Sequence, residues 1–249
     1  MHTQSLRSRA RVGLRPLHKI AKTEDELALQ FEAANAGLRK YNATRDRWHE
    51  WTGQVWKPDE TGSVLDAIRD HIRFAAPPEM HKSGSVRGVE SLCRRARVFA
   101  RIQSDFDRDI YLLGTPEGTV DLRTGRLRKS DPADLISRST SVSPQAGEPE
   151  RWLQFLSEAT GNDAEYVRHL KQLSGMFLTG DTREHRLSFA YGDGGTGKST
   201  FVNTLGRIWG DYARTAPMET FAGIFYDPDD LCFEQTAKEG PLFVAMTRT

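Results

Sequence analysis

The sequence predicts a mixed fold: an α+β N-terminal region followed by the beginning of an α/β domain. Three observations predict it. Apolar residues recur at helical spacing between Leu27 and Ile102, short turn-punctuated strands fill the middle, and from Arg186 a strand, a glycine-rich loop and a helix follow in order.

Taken in order, Thr23-Glu-Asp-Glu26 reads as a capping box that opens a helix, with Leu27, Phe31, Ala34 and Leu38 repeating on one face to about Tyr41. Arg47 to Trp56 then reads as two aromatic-rich strands turned at Gly53. Two readings are open for Trp48, Trp51 and Trp56: they pin this hairpin to the following helix, Val64 to Phe74, or they stack on nucleic-acid bases. Pro77-Pro78 stops that helix, and the polar stretch Lys82 to Gly88 predicts a loop. A further helix is expected from Val89 to about Gln103, carrying Arg94, Arg95, Arg97 and Arg101 between Leu92, Val98 and Ile102. This arginine set is either a solvated helix face or a nucleic-acid contact.

From Asp109 the pattern predicts a β-meander: Ile110–Leu113, a turn at Pro116-Glu-Gly118, Thr119–Leu122, a turn at Arg123-Thr-Gly125, and Arg126–Lys129. A turn over Ser130–Leu135 and an exposed linker over Ser143–Pro149 follow. Trp152, Phe155, Leu156 and Ala159 mark one amphipathic helix, Asp163 to Phe177 a second, and Gly180 closes the pair.

Arg186–Tyr191 reads as a strand, and Gly192-Asp193-Gly194-Gly195-Thr196-Gly197-Lys198-Ser199 has the Walker A spacing. Such glycines let successive backbone N–H groups turn toward a polyphosphate. Lys198 would reach the β- and γ-phosphates, and the Ser199 hydroxyl would ligate Mg²⁺. The helix that follows, including Thr200, would direct its free N–H groups at the anion. The eight-residue pattern arises by chance in a chain of this length on the order of once in a hundred. Phe201, Val202, Leu205, Ile208 and Trp209 form one apolar face, and Gly210 stands where a helix-ending glycine belongs. Beyond it, Asp227-Pro228 predicts a helix to about Lys238, and Leu242–Met246 a buried strand.

These elements divide the chain into a basic arm expected to be disordered (1–22), an α+β region (23–148), a helical connector (149–180) and a partial P-loop nucleotide-binding core (181–249). The arm holds six cations and no acid, a composition that fits a transit segment, a DNA-phosphate contact or a solvated tail. The formal net charge is +1, so any basic surface must be local. Cys93 and Cys232 stand far apart without histidine partners, which excludes a zinc finger and argues against a disulfide framework; a reducing cytoplasm is the expected setting. No apolar run approaches the roughly 18 residues of a membrane helix, so no membrane partner is expected.

In order, the Trp-x-x-Trp-x-Gly-x-x-Trp hairpin, Gly118–Gly125, Trp152-x-x-Phe-Leu, Leu173-Ser-Gly175 with Leu178-Thr-Gly180, and Tyr191–Ser199 resemble the phage and plasmid primase–helicase family. In that family a poxvirus-type N-terminal region is joined to a superfamily-3 helicase. The resemblance spans roughly Ala28 to Met246. It implies a DNA-replication ATPase with an AAA+-like core, ATP and Mg²⁺ as cofactors, single-stranded DNA as partner, and a ring of copies, usually a hexamer. By resemblance Lys198 is the catalytic, nucleotide-binding lysine, Ser199 the Mg²⁺ ligand, and Gly192, Gly195 and Gly197 the loop glycines. No primase-like cluster of carboxylates with a nearby histidine is visible.

Family members carry acids at the end of the second core strand, then an asparagine sensor and an arginine finger. Here Leu242–Met246 is followed by Thr247-Arg248-Thr249, and Glu234 and Glu239 precede that strand. The expectation is therefore a truncated chain that binds nucleotide without hydrolysing it. Two other readings stay open: a nucleic-acid- or partner-binding module with a non-functional loop segment, and a small-molecule kinase. Salt-dependent DNA binding that ignores ATP marks the first, and phosphorylation of a small acceptor the second.

Overall fold

The computed structural model describes residues 20–181, 183, 188, 190, 193–216 and 243–245. Among them are six α-helices and short strands, a mixed architecture that falls into two compact units, one of residues 1–36 with 59–100, the other of 37–58 with 101–249.

The first unit is helical. Its first helix, α1 (Glu24–Asn35), begins where the sequence places it: the Glu26 N–H donates to Thr23 Oγ1 at 3.1 Å. The reciprocal half of the box is displaced by one residue, because Glu26 Oε2 accepts from the Lys22 N–H at 2.7 Å. The helix ends six residues earlier than its periodicity suggests, at Asn35 rather than Tyr41. Asn35 Nδ2 caps the Phe31 carbonyl at 2.9 Å, and the chain leaves through Gly37.

The second helix, α2 (Ser63–Ala75), covers the predicted Val64–Phe74 and buries Val64, Ile68, Ile72 and Ala75. Asp59 prepares its start by accepting from the N–H groups of Ser63 and Val64, each at 3.0 Å. The third, α3 (Ser83–Arg95), corrects the sequence reading: residues 83–88 are helix, not loop, and the helix stops eight residues short of Gln103. Its buried stripe is Ser85, Val89 and Cys93, one residue per turn, with a serine in the place of an apolar signal. Phe31, Ile68, Ile72, Val89 and Phe99 fill the core, with the Phe31 ring 5.9 Å from His71 and 6.1 Å from Phe99.

The second unit holds three sheets among the described residues. The first has the order β3 (Trp56–Pro58), β2 (Arg47–Trp51), β1 (Arg39–Asn42), β4 (Ala100–Arg101). The hairpin at Gly53 is as predicted; β1 replaces the last turns of the expected first helix, because Tyr41 gains Trp48 as its cross-strand partner with rings 5.2 Å apart. The second sheet is the predicted meander, β5 (Leu112–Thr115), β6 (Gly118–Asp121) and β7 (Arg126–Arg128).

Trp48 and Trp56 are buried, and the Trp56 indole N–H donates to the Pro132 carbonyl at 2.9 Å. Burial favours packing over base stacking for Trp48 and Trp56, while Trp51 is half-buried; the Trp56 contact is with the 132–136 segment rather than the following helix, and the Ile136 carbonyl also accepts from the Trp56 backbone N–H at 2.8 Å.

Two helices follow the linker, α4 (Glu150–Ala159) and α5 (Ala164–Thr179). Asp163 caps α5 by accepting from the Glu165 and Tyr166 N–H groups, and Gly180 closes it in the left-handed conformation at φ 64°. After α6 (Lys198–Trp209), β8 (Arg214–Ala216) pairs antiparallel with β9 (Phe243–Ala245). So the expected strand at Leu242–Met246 forms, but its partner is β8. The strand expected at Arg186–Tyr191, before the glycine-rich loop, lies outside the described residues except Ser188 and Ala190, neither in a strand. The expected helix from Asp227 also lies outside them. No helix among the described residues is long and apolar enough to cross a membrane.

Candidate functional site

The site built by the glycine-rich loop spans the described residues Asp193 to Thr200; Gly192 lies outside them. Gly195 and Gly197 adopt φ of 81° and 84°, the left-handed region that a side chain would strain. That backbone turns the loop into the helix without a side-chain cap: Gly197 is the N-cap of α6, and the first helical bond is the Phe201 N–H to the Gly197 carbonyl at 2.9 Å. The N–H groups of Lys198, Ser199 and Thr200 head the helix with no carboxylate in its first turn.

Lys198 folds back over the loop. Its ammonium donates to the Asp193 carbonyl at 2.7 Å and to Thr196 Oγ1 at 2.8 Å, while Thr196 Oγ1 donates to the same Asp193 carbonyl at 3.0 Å. The lysine, the threonine and the turn of backbone thereby enclose one small concavity. Its walls are exposed at Asp193–Thr196 and Ser199, and half-buried at Gly197 and Lys198.

Both ends of α6 are docked. At its start, a Cβ on Gly197 would stand 3.0 Å from Phe155 and 3.3 Å from Ala159, so the loop lies directly on α4. Trp152 of α4 stacks on Phe155 at 5.1 Å and on Phe201 of α6 at 5.8 Å, with the last pair tilted by only 11°. At its end, Trp209 and Tyr212 join Leu113 and Val120 of the meander in a buried cluster. The Tyr212 hydroxyl accepts from the Gly114 N–H at 2.9 Å and donates to the Arg138 carbonyl at 3.2 Å. Gly210, the predicted helix-ending glycine, has φ 56°, and a Cβ there would meet the Ser141 backbone at 2.8 Å. Lys57 and the Ser139 N–H both reach the Asp211 carboxylate, at 2.5 and 3.0 Å. The sequence singled out the loop but not this support, which at the end of α6 joins residues more than sixty positions apart.

The donor set suits phosphate better than metal. Ser199 offers one exposed hydroxyl, and among the described residues no group of three or more His, Cys, Asp or Glu is placed to hold a metal ion. Near the connector, Asp181 is held down to about 2 by the hydrogen bonds of Arg183, whose guanidinium also donates to Tyr111 Oη at 3.3 Å.

The four arginines predicted as one helix face do not share one. Arg94 and Arg95 lie in the last turn of α3, Arg97 follows it, and Arg101 sits on β4 in the other unit. Arg94 is tied to Glu90 at 2.5 Å, and Arg95 donates to the Ser91 carbonyl and hydroxyl at 3.1 and 2.9 Å. Arg101 lines a cavity of about 860 Å³ that includes Arg108, Tyr111 and Arg123. There the Arg123 guanidinium lies 4.2 Å from the Tyr111 ring centroid and grips Asp109 with both terminal nitrogens, at 3.0 and 3.2 Å.

Residues 31–161, more than half of the chain, match the family model described as D5 N terminal like. The chain belongs to this family. The D5 N-terminal-like region is the N-terminal part of the primase–helicase architecture that the ordered sequence motifs resemble. It contains the tryptophan hairpin, the meander and α4, and it ends just before α5. The glycine-rich loop lies outside the D5 N-terminal-like match but rests on its last helix. No curated protein matches the chain.

Proposed function

We propose that residues 192–200 bind the triphosphate of ATP in a replication protein of the primase–helicase type. The observation that carries this reading is the Lys198 ammonium drawn over the loop onto the Asp193 carbonyl and Thr196 Oγ1, between two left-handed glycines and an uncapped helix start. A phosphate entering the concavity would exchange those two neutral acceptors for charged oxygens, and charge-assisted hydrogen bonds are roughly twice as strong as neutral ones. The α6 N–H groups add the positive end of a helix dipole.

Ser199 is the residue that would reach Mg²⁺, which when bound would neutralise phosphate charge. A phosphate-binding loop supplies only part of the clamp that phosphoryl transfer needs, so the proposal is for binding rather than turnover. Single-stranded DNA and a ring of copies complete the reading as partners suggested by the family's architecture. Titration with a fluorescent ATP analogue tests it: Lys198→Ala should weaken binding at least about tenfold, the loss of roughly one charge-assisted contact. Equal binding by the two proteins overturns the nucleotide site, and Lys198-dependent hydrolysis at ordinary enzyme rates overturns the restriction to binding.

A further inference from the structure

A second cavity, of about 290 Å³, opens in the helical unit between α2 and the start of α3. Four cations, Arg69, Arg73, Lys82 and Arg87, line it with a single carboxylate, Asp66, besides His81. Asp66 is spent on Arg69, 3.1 Å away on the same helix. The side chains of Arg73, Lys82 and Arg87 are exposed and make no ion pair or hydrogen bond among the described residues. His81 contacts the Ala76 carbonyl through Nε2 at 3.0 Å, so it supplies no anion either.

Three unneutralised cations gathered around one concavity repel one another and raise the local potential for an anion. The apolar lining is Val86 and the exposed Leu65, with the core residue Ile72 buried beneath. The first turn of α3 holds no acid that would compete. A cationic rim beside this apolar lining matches a sugar-phosphate unit, with phosphate at the rim and sugar or base edge on the lining. This placement also relocates the basic surface that a net charge of +1 requires to be local, away from Arg94 and Arg95, which are already tied within α3.

We propose that this cavity binds the sugar-phosphate backbone of single-stranded nucleic acid. The assignment is independent of the ATP site, because it involves no residue of the glycine-rich loop and is measured without added nucleotide.

The test is fluorescence anisotropy of a labelled oligo-dT with the full chain across a salt series, for the parent, for Arg73→Gln/Lys82→Gln/Arg87→Gln, and for Arg94→Gln/Arg95→Gln. All five positions carry long polar side chains, and thermal melts confirm that the variants fold. The triple variant should bind about tenfold or more weakly at low salt, and its log–log salt slope should shrink by about 2, the loss of three phosphate contacts on a single strand. The double variant should keep most of the parent slope. Unchanged affinity and slope in the triple variant overturns the proposal, as does an equal loss in the double variant, which would make the effect one of net charge. Displacement of the oligonucleotide by inorganic phosphate or a mononucleotide at equal phosphate concentration also overturns it, since the cavity would then be a free-phosphate site.

Discussion

His49 sits on β2 at 6 % exposure, stacked on Phe106 with ring centroids 4.9 Å apart. Burial pushes its imidazole below the ordinary value, Arg47 and Arg45 push the same way, and a backbone hydrogen bond to Arg47 opposes them. Nδ1 has no hydrogen-bond partner among the described residues, so a second proton would be both desolvated and unpaired. A depressed folded-state value means that the unfolded chain takes up a proton which the folded chain refuses. Stability should therefore fall as pH drops through the ordinary imidazole range, and urea midpoints between about pH 7.5 and 5.5 should decrease in the parent and flatten in His49→Phe. Identical pH slopes would remove His49 from this role. Cys93 is the opposite kind of buried group. Burial, then Glu32 and Glu90, push its thiol up to about 12. Thiolate is the reactive form, so peptide-resolved alkylation near pH 8 should leave Cys93 unmodified in the folded protein and label it in urea. Labelling at equal rates in both would contradict its burial.

At the scale of elements, α4 is what links the family region to the loop. Trp152 touches no candidate phosphate ligand, but its stacks on Phe155 and Phe201 set where α6 begins. Aromatic pairs of this kind contribute about 0.5–1.5 kcal/mol each beyond area burial. Trp152→Ala should therefore weaken binding of the ATP analogue about five- to tenfold with Lys198 intact; full affinity in a folded variant would show that the loop holds its own shape. The same scale shows which elements the sequence revealed. The Val64, Ile68, Ile72 stripe and the prolines behind it made α2 legible, as turn residues did the meander. α3 was hidden because Ser85 occupies a core position and Gly84 and Gly88 read as loop, although α1 packs close to Gly88: a Cβ there would meet the flexible Glu24 carboxylate. β1 was hidden for the converse reason: Leu38 continues the helical period of α1, and only the partner strand at Arg47–Trp51 makes an extended Arg39–Asn42 worthwhile.

The whole molecule is built from two units whose segments alternate along the chain, since residues 37–58 belong to the second unit while their neighbours on both sides belong to the first. The first unit has one core, in which α1, α2 and α3 share Phe31, Ile72 and Val89, so no one helix can open without exposing the others' apolar faces. Native-state hydrogen exchange should find the amides of Ile68, Ile72 and Val89 slow and released together, with the amides of Gly194 to Gly197 orders of magnitude faster. Release of α3 well before α2 would show that the three helices are not one cooperative set. Added ATP analogue should slow the loop amides and leave those of α2 unchanged.

The sequence by itself determined what depends on neighbours a few positions away: the Gly192–Ser199 spacing, the Thr23 cap, the turns at Gly53 and Gly125, and the motifs from the tryptophan hairpin to Trp152-x-x-Phe-Leu, which lie within the family match. Tertiary structure alone decided where α1 stops, where α3 starts, that Trp48 and Trp56 pack rather than stack, and that Arg94, Arg95, Arg97 and Arg101 are not one surface. The physical reason is the size of the competing terms. Local propensities differ by less than about 1 kcal/mol per residue, while burying a large side chain or pairing a strand is worth more, and its partner is brought near only by folding.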